Sequence, residues 1–153
     1  MIDTKRFVDA ELMLVRKLFD TRKEVVPMFV LVRGARHDMV PVMFADDNEK
    51  DAVADAVREI VKTIEPDIVL FMCEAWTYQA KEYDPQTSIR PSLHKDRVEV
   101  VTVTVEFKTG EKYMCMANIK RSKDKVSLGE FSVTDGQQNV GRFADFYPPK
   151  ALH

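Results

Sequence analysis

The sequence predicts an α+β domain: two helices on a curled, mainly antiparallel sheet of five to six strands, in the order α-β-β-α-β-β-β-(β). Three observations lead there. Two segments repeat apolar residues at helical spacing, and the remaining apolar runs are rich in Val, Ile, Phe and Thr and bounded by turn residues. The strands after the second helix follow one another without an intervening helix, which favours segregated layers over alternating βαβ units. A length of 153 residues with 45% apolar and 31% charged side chains fits one globular unit with its own core.

Taken in order, Asp3 or Thr4 can cap a first helix running to about residue 20. Phe7, Ala10, Leu14, Val15 and Leu18 make its apolar stripe, widened by Val8, Leu12 and Phe19. A stripe this broad suits packing on a sheet. Residues 25–33 and 38–44 then form a hairpin, with Gly34 and His37-Asp38 in the turn. Pro27 and Pro41 place it at the sheet margin, because proline has no N–H to give a ladder. The acidic run at 46–51 starts a second helix, with Asn48 and Asp51 in a capping arrangement. It lacks the alternating oxygens and central glycine of a calcium loop. Val53, Ala56, Val57, Ile60 and Ile64 form the stripe of this helix, and Pro66 ends it.

The strand at 67–76 is apolar on both faces, the pattern of a central strand covered on both sides. The strand at 97–108 alternates. Glu99, Val101, Val103, Val105 and Phe107 face one way, and Thr102, Thr104 and Glu106 the other. A turn at Thr109-Gly110 leads to the next strand with two registers open: Met114 and Met116 beside Val105 and Val103, or Tyr113 and Cys115 there instead. A polar turn at 121–125 precedes a last strand at 126–133. The domain spans 1–135, and 136–153 reads as an irregular tail rich in Gly, Asn, Gln and Pro.

Composition excludes some functions. A net charge of -2 gives no general attraction for polyanions, so nucleic acid is not an expected partner. The longest apolar run, 68–73, is too short to cross a bilayer, and residues 1–6 have charge with no apolar stretch behind them. Cys73 and Cys115 fall inside strands and read as reduced, buried thiols of a cytoplasmic protein. There is no phosphate-binding glycine loop, dinucleotide fingerprint, nucleophile elbow or His-Glu-x-x-His, and no cofactor or metal is expected.

Two constellations remain. If the two long strands pair antiparallel, Glu74, Trp76, His94, Asp96, Arg97 and Glu99 gather at one sheet end beneath a connection at 77–96. Charge carried into apolar strands needs a partner. The favoured reading is an ion-pair network with Arg97 bridging Glu74 or Glu99; the competing one is a pocket with acid–base chemistry. His94 with Asp96 and Glu99 makes only a sparse metal set. At the opposite end, Pro66-Asp67 and Glu106-Phe107-Lys108 have the order of a metal-dependent nuclease signature, in which Asp67 and Glu106 would hold a divalent ion and Lys108 would steady the attacking oxygen.

Pro27-Met28-Phe29, Glu74-Ala75-Trp76 and Asp96-Arg97-Val98-Glu99 together resemble a group of uncharacterised bacterial and phage-associated proteins. The resemblance covers about half the chain, implies a compact cytoplasmic domain, and carries over no catalytic residue. The leading functional expectation is a small, non-catalytic binding or assembly domain that self-associates and meets an unidentified protein partner. The alternative is a metal-dependent phosphodiesterase, nuclease or hydrolase using one of the acidic sheet ends.

Overall fold

The computed structural model describes residues 3–77, 97–136 and 143–148. Helix α1 (Thr4–Arg22) opens on Asp3, whose carboxylate accepts the Arg6 amide at 3.2 Å. It closes on Lys23, whose left-handed backbone (φ 60°) returns its N–H to the Phe19 carbonyl. Helix α2 (Asp47–Ile64) takes its cap at Asp46, two residues before the expected Asn48. Asp46 accepts the Glu49 amide at 2.8 Å, and the Glu49 carboxylate reaches back to the Ala45 amide at 2.6 Å. This reciprocal pairing satisfies two helix-end donors, which Asn48 and Asp51 would leave unmet.

Among the described residues seven strands form one sheet, two between the helices and five after them: β1 (Met28–Arg33), β2 (Arg36–Pro41), β3 (Ile68–Thr77), β4 (Val98–Phe107), β5 (Lys112–Ser122), β6 (Lys125–Leu128) and β7 (Ser132–Asp135). The order is β2-β1-β3-β4-β5-β6, with β7 also on β5, and every described pair is antiparallel. The α+β class and the two helices are as expected; the strand count is one higher. The hairpin does form a margin, with β2 outermost. Its turn is shorter than expected, because Gly34 (φ 58°) and Ala35 suffice and His37-Asp38 belong to β2.

The open register is decided in favour of Tyr113 and Cys115, which face Val105 and Val103. A three-residue connection, ending on Gly110 at φ 107°, supplies the extra residue. The expected single strand at 126–133 is broken in two. Ile119 faces Leu128 but Met116 faces Ser132, so residues 129–131 oppose only Ala117 and Asn118. That bulge is the source of the seventh strand.

Both sheet faces are covered, as the two-sided apolarity of β3 requires. On one face α1 packs Val8, Leu12, Val15 and Phe19 against Val30, Leu70, Val101, Val103 and their neighbours. On the other, Val57 and Val61 of α2 meet Phe29, Leu31, Val69 and Phe71. The inward stripe of α1 is rotated from the expected one: Ala10 and Leu14 face out, and Glu11 faces in. Likewise Ala56 and Ile60 of α2 are exposed while Ala54 and Val61 are buried. Helix α1 also touches both sheet margins. Glu11 meets His37 of β2 at 2.9 Å, and the Arg16 guanidinium donates to the Leu128 and Gly129 carbonyls at 2.9 and 2.6 Å.

Candidate functional site

β3 and β4 pair antiparallel, the arrangement on which the first constellation depended, with Trp76 opposite Glu99 and Thr77 opposite Val98. His94, Asp96 and most of the 77–96 connection lie outside the described residues. The four remaining cluster members are near one another but not in the expected ion-pair pattern. Arg97 lies over the indole of Trp76, 4.7 Å from its centroid, a cation–π contact. Glu99 is taken instead by Arg121 of β5, in a two-pronged bridge at 2.9 and 3.0 Å. That bridge holds the Glu99 carboxyl below the usual range. Glu74 accepts the Val25 amide at 3.0 Å, tying the segment before β1 to the end of β3. The fork of Arg121 reaches Glu99 because the β4–β5 register puts the two on one face, a relation invisible until β5 is aligned.

The opposite end joins more of the chain. Asp67 and Lys108 are register neighbours, with the Lys108 amide donating to the Asp67 carbonyl at 2.8 Å. The Asp67 carboxylate accepts the Gly34 amide at 2.8 Å and so closes the β1–β2 turn. Glu106 is buried, 5% exposed, and accepts the Phe146 amide at 3.1 Å. Burial pushes its carboxyl above the usual range, opposed first by the Phe146 amide hydrogen bond and then by Lys112. Both carboxylates of the nuclease-like triplet thus bind backbone donors. Among the described residues, no three His, Cys, Asp or Glu side chains are gathered to hold a metal ion.

Residues 143–148 build the rest of this end without helix or strand. Phe143 stacks on Phe71 at 4.5 Å, and Phe146 meets Phe29 edge-on at 5.3 Å. The Tyr147 hydroxyl donates to the Pro66 carbonyl at 2.9 Å, Arg58 donates to the Ala144 carbonyl at 3.0 Å, and Lys112 pairs with Asp145. Between this segment, the end of α2 and the β4–β5 turn lies an open cleft of about 580 Å³. Glu106 sits at its floor, Val61, Phe107 and Tyr147 form its walls, and Lys62, Lys108 and Lys112 reach its rim. The sequence reading missed Asp145, Phe146, Tyr147, Lys62 and Lys112. The aromatic spacing Phe143-x-x-Phe146-Tyr147 in an otherwise polar tail was the available signal.

The family profile described as bacteriophage lambda protein ea47 matches residues 4–149. The chain belongs to that family. The matched span runs from α1 through the 143–148 segment, so both ends of the β3–β4 pair and the cleft lie inside the Ea47 family region. The phage association expected from the Glu-Ala-Trp and Asp-Arg-x-Glu elements is thereby shown. The family's description names no activity. Comparison with curated proteins and with solved structures returned no match.

Proposed function

We propose that this chain is a small binding and assembly domain that pairs with a second copy of itself along β2. The carrying observation is Met39. It lies in the outermost strand and is 58% exposed. The Val42 amide bonds to the Pro27 carbonyl, and Val40 faces Phe29, so by alternation the backbone groups of His37 and Met39 point away from the sheet. Beside Met39 runs a groove of about 510 Å³ whose apolar lining includes Leu14, Leu18 and Met72. Leu14 and the neighbouring Met13 are 55% and 70% exposed.

A two-fold axis at Met39 lets each copy's Met39 exchange two backbone hydrogen bonds with the other. Registers centred one residue earlier set Asp38 against Asp38 and are disfavoured by like charge. Pro41 limits the pairing to a short stretch, which discourages open-ended growth. The reach of α1 from β2 to β6 supports a sheet curled around it, and among the described residues no strand pairs with the outer edge of β2. No helix among the described residues is long and apolar enough to cross a membrane, and both cysteines are free thiols, which is in keeping with a cytoplasmic assembly. Light scattering at micromolar concentration should give a dimer, and Met39→Pro, which removes the outward N–H, should give a monomer. A monomeric parent chain, or a dimer indifferent to Met39→Pro and Met39→Arg, overturns the proposal.

A further inference from the structure

Among the described residues the cleft above Glu106 shares no lining residue with the groove beside β2, so a ligand there can be tested apart from pairing along β2. We infer that this cleft is a binding site for a small organic monoanion with a ring-sized apolar body, its charge met by the Lys108 ammonium at the rim. Its volume, about 580 Å³, is that of a small-molecule site rather than a packing defect. Its walls are apolar where Val61, Phe107 and Tyr147 meet, and its polar groups are few and convergent.

Charge selects the ligand. Lys62 is paired with Glu59 and Lys112 with Asp145. Lys108 has no ion-pair partner among the described residues, so it is the rim cation left to meet a ligand. It stands exposed at the start of the three-residue β4–β5 connection, whose backbone is fixed by the Gly110 amide bonding to the Phe107 carbonyl at 2.9 Å. Glu65 also lines the cleft and opposes a multiply charged anion, so one negative charge fits better than several. Glu106 adds a second polar contact. In its protonated form, which burial favours relative to a free carboxyl, it can donate a hydrogen bond to a ligand oxygen while its other oxygen keeps the Phe146 amide.

The probe that tests this is anilinonaphthalene sulfonate, an aromatic monoanion whose fluorescence rises in apolar surroundings, compared with the uncharged N-phenylnaphthylamine. The expected result is saturable binding of the anion at one site. Lys108→Ala should weaken it roughly tenfold, the effect of one charge-assisted bond. The uncharged analogue should bind weakly and be indifferent to that change. Amide NMR shifts on adding the anion should centre on Lys108, Gly110 and Tyr147. Lys108 is exposed, so the variant is expected to fold, and its circular dichroism checks this. Equal binding of the anion to the parent chain and Lys108→Ala overturns the inference. So does loss of binding on Met39→Arg, or the absence of saturable binding.

Discussion

The side chain of Glu106 in β4 accepts the backbone N–H of Phe146 at 3.1 Å, joining the central strand pair to a segment forty residues further along the chain. A carboxylate alone under an aromatic segment would be costly. Here it gives an irregular, buried stretch of backbone the acceptor it would otherwise lack.

Removal of that acceptor should be felt locally. Glu106→Ala leaves the buried Phe146 amide unsatisfied and is expected to lower stability by about 1–3 kcal/mol. Glu106→Gln keeps an acceptor and should lose little at neutral pH. Urea denaturation of the two variants against the parent chain checks both.

The same residue sets a pH dependence with a definite sign. A carboxyl raised in the folded state favours folding below its unfolded pKa, and that advantage is lost as pH rises through the folded value. Stability is therefore expected to decline as pH rises above the ordinary glutamate range, and Glu106→Gln should flatten that limb. Glu99, lowered by Arg121, acts in the opposite sense. Its contribution is present above the ordinary range and is lost as pH falls through its lowered value, so Glu99→Gln should flatten the acid limb only. Denaturation midpoints across pH separate the two.

Phe146 is 2% exposed and fills the second core against Phe29. Phe146→Ala should lower stability by about 3–5 kcal/mol, the range for emptying a buried aromatic site. An exposed tail would give almost no change, so a small effect by calorimetry would contradict the packing.

The chain has one tryptophan, Trp76, stacked with Arg97. Arg97→Ala should change its fluorescence intensity and make it more accessible to iodide, with a stability loss of only about 0.5–1 kcal/mol. Arg97→Lys should restore only part of the spectrum, since an ammonium lacks the planar face.

The thiols should differ in reactivity. Burial pushes the Cys115 thiol up to about 12, and Cys115 is 0% exposed. Cys73 is also raised by burial but only half-buried, with Thr102 beside its sulfur at 3.4 Å. A thiol reagent should label Cys73 slowly in the folded chain and Cys115 only after unfolding. Rapid labelling of Cys115 in native conditions would contradict its place under α1.

Local pattern was enough for much of this. Cap residues and helical spacing located α1 and α2, the prolines put the first hairpin at the margin, and the two-sided apolarity of β3 foretold layers on both faces. An antiparallel pairing of the two long strands was enough to bring Trp76 near Arg97 and Glu99. What tertiary structure decided were choices between sets of residues that look alike to a periodic pattern. Leu14 and Leu12 both sit on apolar stripes of α1, and the packing of α1 on the sheet buries Leu12 and leaves Leu14 exposed. Tyr113 and Met114 are both acceptable opposite Val105, and the length of the turn chose Tyr113. The partners of Arg97, Glu99 and Glu106 come from a neighbouring ring, a later strand and a segment without regular structure. Periodicity reports which residues can be buried. A hydrogen bond or ion pair between distant residues depends on where the backbone puts them in space, and that is fixed only when the layers close.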